Sequence, residues 1–266
     1  MALSLAAIHL YPIKSCGGVE VSSWRLDALG LEHDRRWMLV DEDGKAVTQR
    51  EWPRLSLTRT FIEGTNIRVT APGHSPLEVP LTPSDGARAP LALWDWRGTG
   101  LAGSTEGDGW FSALLGTAVR LVFCPPGEGQ EVNPRYAPEA TRAAFTDGFP
   151  LLVIAAASLD ELNRRLPAPV TMQHFRPNLT LAGAEPFAED NLGRFRVGAV
   201  PMTAVKGCDR CTMTTIDPET GDKGAEPLRT LATFRKWDGK VWFGQNVVHR
   251  GTGTLKLGDP VTAEAG

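Results

Sequence analysis

Short apolar runs, broken by Gly, Pro and Asp, recur from one end of this chain to the other, and they predict strands far more often than helices. In the first half, strands are expected over residues 3–10, 20–29, 37–40, 46–48, 55–62, 66–70, 77–81, 91–96 and 119–123. The Asp43-Gly44 step between 37–40 and 46–48 is a hairpin signal. One helix is expected near 110–115, capped by Asp108 and stopped by Gly116. In the second half the pattern gives strands over 151–155, 179–181, 194–197, 201–206, 212–216, 242–248, 255–257 and 261–263. Ser158 and Glu161 have capping-box spacing at the head of an amphipathic helix that carries Leu159, Leu162 and Leu166. A helical turn is expected within 137–144, and a helix from Pro227 to about Lys236.

The sum is a mixed, β-rich α+β fold. Residues 1–122 read as an antiparallel sheet or small barrel with one terminal helix. The linker-like Cys124-Pro125-Pro126-Gly127-Glu128-Gly129-Gln130 then opens a second strand-dominated domain, 123–266. Composition adds to this: 42% hydrophobic residues allow a sizeable core, and Gly 28 with Pro 20 suits a turn-rich chain. The net charge of −3 gives no global pull towards nucleic acid or an anionic membrane, so neither is expected as a partner. Any bound anion must be held by a local basic cluster. The N-terminus lacks a basic segment ahead of its apolar stretch, and no apolar run approaches the roughly 20 residues that span a bilayer. A soluble cytoplasmic protein is expected.

Several loops offer groups for such a cluster. Lys14 and Ser15 sit in a Pro12-to-Gly18 loop, a charge and a hydroxyl suited to a phosphate. Arg35 and Arg36 begin a strand and alternate in direction, so one should face inward. Asp147, Gly148 and Phe149 form a loop entering a buried strand. Pro177 holds Arg176 extended, which should put Arg176 and Asn178 on one side. Each of these, taken alone, also reads as an ordinary polar turn.

Cys208-Asp209-Arg210-Cys211 carries the most specific chemistry. The four cysteines, Cys16, Cys124, Cys208 and Cys211, are too few and scattered for a disulfide scaffold. A structural zinc site wants four ligands, yet there is no second C-x-x-C and the five histidines show no paired spacing. A dithiol redox pair wants a helix after its first cysteine, whereas a β-branched strand is expected here. Two inert cysteines remain a reading, as does a single thiolate binding a soft metal whose other ligands are not protein.

Taken whole, the chain resembles the MOSC proteins that carry an N-terminal MOSC β-barrel domain, the family of the mitochondrial amidoxime reducing component and its bacterial relatives. The matching segments run in order: Tyr11-Pro-Ile-Lys-Ser-Cys, Asp34-Arg-Arg-Trp-Met-Leu-Val, Thr146-Asp-Gly-Phe-Pro-Leu-Leu, Phe175-Arg-Pro-Asn, Cys208-Asp-Arg-Cys and Thr214-Thr-Ile-Asp-Pro-Glu-Thr-Gly. Glu226-Pro-Leu, Phe243-Gly-Gln-Asn and Leu257-Gly-Asp-Pro-Val also fit. The resemblance implies two β-barrel domains with a few helices and a molybdenum cofactor, Mo-molybdopterin. Pyridoxal phosphate is not expected.

It further implies that Cys211 is the metal ligand and catalytic residue and that Cys208 is not a ligand. Lys14, Ser15, Arg35, Arg176 and Asn178 would contact the pterin and its phosphate. Thr146, Asp147, Gly148, Phe149 and Asp209 would also touch the cofactor, with Gly148 and Phe149 acting through the backbone where some relatives have hydroxyls. The implied activity is reduction of N-hydroxylated or N-oxide compounds such as amidoximes, hydroxylamines and hydroxylated bases. Two electrons and two protons convert the N–O oxygen to water. No cysteine follows Cys211, so electrons are expected from a separate protein of ferredoxin, flavoprotein or cytochrome type. A cofactor carrier, or a sulfurtransferase acting through a Cys211 persulfide, would fit the same residues. No general acid is identified; Asp217 is a loop carboxylate that also suits a turn cap.

Overall fold

The structure, a computed structural model, describes residues 2–137 and 140–264. It is strand-dominated, as the apolar pattern requires. The largest sheet has nine strands, and eight of them lie in the order Val19–Val21, Ser4–Leu10, Leu179–Ala182, Leu151–Ala155, Lys240–His249, Val200–Asp209, Arg194–Val197 and Val261–Ala263. The ninth, Lys236–Trp237, pairs with Lys240–His249. Among the described strands, only Leu151–Ala155 and Leu179–Ala182 run parallel to one another. A four-stranded sheet holds Trp37–Val40, Arg120–Phe123, Trp96–Ala102 and Arg88–Leu93. Arg59–Glu63, Asn66–Ala71 and His74–Pro80 form a three-stranded meander.

Among the described residues, neither half forms the continuous ladder of a closed barrel. The nine-stranded sheet is an open path; the segment at its last strand meets Ser4–Leu10, next to the other end, through the Ser4–Pro260 bridge and the bonds Leu5 N to Asp259 O at 2.9 Å, Gly258 N to Leu5 O at 2.8 Å and Val261 N to Leu3 O at 2.9 Å. Residues 37–123 divide between two separate small sheets. Sheet membership also crosses the sequence halves. Ser4–Leu10 lies in the sheet of the second half, and Ser23–Asp27 pairs with Gly253–Lys256.

Of the five apolar clusters among the described residues, two are largest. One gathers Trp37, Leu39, Ile67, Val69, Phe111 and Phe123 beneath the small sheets. The other gathers Leu5, Leu10, Leu179, Phe195, Val247 and Leu255 inside the large one. In Asn66–Ala71 burial alternates strictly, with Ile67, Val69 and Ala71 inward, whereas all four residues of Trp37–Val40 are buried. Each fully buried side chain of this size contributes about 1.5–3 kcal/mol.

Several local expectations are corrected. The helix Thr105–Leu115 starts earlier than expected because Ser104 is its cap, accepting from Gly107 N at 3.1 Å. Asp108 instead ties the helix to the neighbouring strand through Leu121 N. Gly116 does end it, in the left-handed conformation. The helix Ala156–Arg165 has no side-chain cap, since Ser158 is buried and its hydroxyl serves Phe187 N and Glu189. Glu161 pairs with Arg164 and Arg165.

Residues 53–57 form a 3-10 helix ahead of the strand Arg59–Glu63. The helix after Pro227 is one turn, Leu228–Leu231, and Lys236 already belongs to a strand. The helical turn expected within 137–144 falls partly outside the described residues, and Arg142–Ala143 is a strand paired with Gln130–Glu131.

Candidate functional site

Three segments from distant parts of the chain, residues 11–14, 35–37 and 145, are knit together by backbone hydrogen bonds. Arg35 N donates to Tyr11 O at 2.8 Å, Trp37 N to Pro12 O at 3.0 Å, Lys14 N to Trp37 O at 2.7 Å and Phe145 N to Arg35 O at 3.0 Å. Between them opens a cleft of about 690 Å³, counting its open mouth. Five cations line it, Lys14, Arg35, Arg50, Arg176 and Arg210, against one carboxylate, Asp147.

The backbone around the cleft is strained. Of the seven non-glycine residues with positive φ among those described, four line it: Ser15 (69°), Arg35 (47°), Trp94 (54°) and Arg176 (55°). Such conformations cost free energy and concentrate where geometry serves a ligand.

Each cation is fixed by different means. Lys14 is buried and donates to Phe145 O at 2.9 Å and Asp147 Oδ1 at 2.5 Å. Arg35 donates to Asp34 Oδ2 at 2.6 Å and to Arg176 O at 3.1 Å. Arg176 donates to Cys16 O at 2.6 Å. The Tyr11 ring lies 4.2 Å from both the Arg35 and Arg176 guanidiniums. Arg36 turns the other way, as alternation required, but it is not solvated: it forms a buried ion pair with Asp27. Arg210 donates to Phe243 O and Phe175 O, while its Nη2 is buried with no hydrogen-bond partner.

Burial and mutual repulsion shape the electrostatics. Burial, then the Arg35 charge, pushes Arg176 down to about 10, which still leaves it cationic at neutral pH. Burial lowers Lys14, and Asp147 partly restores it. Burial alone would raise Asp147, but Lys14 and Arg50 outweigh it and hold the carboxyl well below its usual range. Burial pushes the Cys208 thiol up.

Of the residues expected from sequence, Lys14, Ser15, Arg35 and Thr146 line the cleft, as do Asp147, Phe149, Arg176 and Asn178. Asn178 is spent on the scaffold: its Oδ1 accepts from Leu152 N and its Nδ2 donates to His9 O. Gly148 is not in the lining, and its N–H is taken by Thr146 Oγ1 at 3.3 Å. Asp209 lies outside, paired with Lys206 at 3.0 Å and Lys240 at 3.1 Å. Asp217 is a turn cap, accepting from Glu219 N and Thr220 N.

The cysteine motif differs from its expected loop between two strands. The first strand runs through Cys208 to Asp209, so Cys208 itself lines the cleft. A 3-10 turn, Thr212–Thr215, follows Cys211 in place of a strand. The hydroxyls explain it: Thr214 Oγ1 donates to Cys211 O and Thr215 Oγ1 to Thr212 O, closing a tight turn that β-branched composition alone does not reveal. Cys211 stands beside the lining, with its Sγ accepting from Arg50 Nε at 3.3 Å. Among the described residues no group of three His, Cys, Asp or Glu side chains could hold a metal by itself.

Arg50 and Trp94 were not found from sequence. Arg50 bridges Cys211, Asp147 Oδ2 at 3.1 Å and the Trp94 ring at 4.3 Å. Nothing in Gln49-Arg50-Glu51 distinguishes it from a polar turn.

Comparison with known proteins gives a consistent picture. Residues 2–118 match the MOSC N-terminal beta barrel domain and residues 140–262 the MOSC domain. The mitochondrial amidoxime reducing component 2 of Rattus norvegicus is 36% identical, covering 97% of this chain and 82% of that protein. The mitochondrial amidoxime-reducing component 1 of Homo sapiens is 34% identical with the same coverage. Among solved structures, the YUAD protein of Bacillus subtilis aligns over 98% of this chain and 94% of its own at 11% identity and a TM-score of 0.46, too distant to bear on the site.

Proposed function

This chain belongs to the MOSC family, with an N-terminal MOSC domain preceding the MOSC domain, and from that premise we propose that it is a molybdenum-cofactor-dependent reductase of N-hydroxylated compounds. One observation carries the reading: five cations converge on a cleft with two thiols at hand, Cys208 in its lining and Cys211 beside it, and Cys211 is the one that accepts a hydrogen bond from Arg50. Its relatives named for amidoxime reduction align along nearly the whole chain.

The residues fit an anionic organic carrier of a soft metal. The buried Nη2 of Arg210 is a donor without a protein acceptor, and a ligand oxygen or heterocycle nitrogen would complete it. Lys14, Arg35 and Arg176 would hold the carrier's phosphate and ring by charge-assisted hydrogen bonds. A single protein sulfur suits a metal whose remaining ligands come from that carrier. Bound molybdenum would supply the two-electron chemistry that cleaves an N–O bond.

The chain's own contributions are orientation and charge. Cysteine binds metal as thiolate, and Arg50 is placed to donate to that sulfur. Asp147 keeps Lys14 and Arg50 together by accepting from both. Phe145 O and Cys16 O aim Lys14 and Arg176 into the cleft without neutralising them. The balanced reaction is R–C(NH2)=N–OH with two electrons and two protons giving R–C(NH2)=NH and water. A separate electron-transfer protein would supply the electrons.

The test is amidoxime turnover with a chemical reductant, using protein from a molybdenum-cofactor-competent host and from a cofactor-deficient one. Consumption by the first alone is expected. Equal consumption by both, or by neither, contradicts the proposal.

A further inference from the structure

Four large apolar side chains are strongly exposed among the described residues: Phe61, Trp94, Trp237 and Leu257. Of these only Trp94, 45% exposed, lines the cleft. It opens the two-residue connection between Arg88–Leu93 and Trp96–Ala102, where Leu93 pairs with Trp96. Its φ of 54° is a conformation that Gly or Asn adopts readily and a bulky residue does not.

The fold gains little from an indole there, because Trp94 packs into none of the apolar cores. Its side-chain contacts run to the site instead. Nε1 donates to Asp147 Oδ1 at 3.4 Å, the Arg50 guanidinium lies 4.3 Å from the ring centroid, and Lys14 Nζ lies 5.9 Å from it. Arg50 in turn donates to Cys211. A half-exposed indole, with the Arg50 guanidinium over one face, therefore stands one residue away from the candidate metal-binding sulfur. The buried cations Lys14 and Arg176 lie deeper, where an anionic carrier would be held.

The geometry points to Trp94 as a substrate-selecting platform that stacks on planar aromatic N-hydroxylated compounds, arylamidoximes and N-hydroxylated heterocyclic bases among them. This deepens the reductase reading and rests on it. The indole takes no part in the electron or proton transfers; it holds the aromatic end of the substrate while the N–O end reaches the metal. Aromatic pairs add about 0.5–1.5 kcal/mol beyond area burial, so the platform favours an aryl over an alkyl substrate by about 2- to 12-fold.

The experiment compares wild type, Trp94→Gly and Trp94→Phe, each loaded with cofactor, on benzamidoxime and acetamidoxime with a chemical reductant. Binding of both compounds to the unreduced protein, which cannot turn them over, is measured in parallel by calorimetry. Trp94→Gly should lower the benzamidoxime-to-acetamidoxime ratio, in kcat/KM and in affinity, by about 2- to 12-fold. Trp94→Phe should retain most of the ratio. The thermal midpoint of Trp94→Gly should be unchanged or higher, because glycine relieves the left-handed backbone.

An unchanged ratio in Trp94→Gly overturns the assignment. So does a fall in pterin content with the ratio preserved, which would place the indole on the cofactor. If wild type turns over neither compound, the reductase reading fails, while the calorimetric ratio still decides whether Trp94 stacks on aryl groups.

Discussion

Arg50 Nε lies 3.3 Å from Cys211 Sγ, joining residues 161 positions apart in sequence. The same guanidinium reaches Asp147, so thiol, cation and carboxylate form one connected group at the cleft mouth. Burial lowers Arg50, but Asp147 and Cys211 more than compensate and raise it above its ordinary value. Its charge is therefore permanent. Arg50→Ala should lower amidoxime turnover at least 10-fold, with Arg50→Lys recovering only part, since lysine cannot donate to sulfur and carboxylate in the same fork. Steady-state kinetics on cofactor-loaded protein checks this; equal activity of Arg50→Ala and wild type contradicts it.

Asp147 makes the stability of cofactor-free protein depend on pH. Its folded-state carboxyl is held below the usual range, so the unfolded chain takes up the proton first. The contribution is complete above roughly pH 4 and is lost as pH falls below that value. Urea midpoints should therefore drop more steeply towards acid in wild type than in Asp147→Asn. Because the side chain is 46% exposed, screening limits the effect to about 1 kcal/mol. Parallel pH profiles would remove Asp147 from this role.

Ser158 tests the corrected reading of the second helix. Its buried hydroxyl accepts from Phe187 N at 2.7 Å and donates to Glu189 Oε2 at 2.8 Å. Burial pushes the Glu189 carboxyl up, and the Ser158 bond works against that. Ser158→Ala should cost about 1–3 kcal/mol by leaving buried partners unpaired. A surface cap would lose about 1 kcal/mol. Glu161→Ala should have little effect, because its partners are solvent-exposed arginines. Chemical denaturation of both variants separates the two readings.

Arg176 is held by Cys16 O on one side and packs on Tyr11. Arg176→Ala should lower pterin content, because an anionic ligand loses a charge-assisted contact worth about 1.5–3 kcal/mol. Pterin released from purified protein and measured by fluorescence gives the readout. Wild-type occupancy would place Arg176 outside the binding set.

The parts of the site that were legible in sequence sit in loops whose local chemistry is unusual. Pro12 and the paired glycines frame Lys14 and Ser15, and Pro177 marks Arg176, although the backbone at Arg176 is left-handed, with φ 55°, and not extended as expected. Arg50 lies in a turn of ordinary appearance, and Trp94 in a hairpin turn that interrupts the strand expected over 91–96. Their roles arise only when residues 48–50, 94, 147 and 211 meet in space, which no spacing encodes. The same limit applied to the helix starts. Ser158-x-x-Glu161 satisfies a local pattern, but a tertiary partner, Glu189, takes the hydroxyl. After Cys211, threonine's strand preference gave way to hydroxyl bonds onto preceding carbonyls. Most strands were legible, since burial every second residue leaves a mark in the sequence, but Trp96–Ala102 was not expected, 212–216 is not a strand, and which strands pair across the halves was not legible.

The central claim is that this cleft holds molybdenum through Cys211 and its organic carrier through the surrounding cations. The direct measurement is molybdenum and pterin content of wild type, Cys211→Ser and Cys208→Ser purified from a cofactor-competent host. The account expects both components in wild type, molybdenum lost in Cys211→Ser and largely retained in Cys208→Ser. Wild-type protein that reproducibly carries neither component, or equal losses in the two variants, would contradict it.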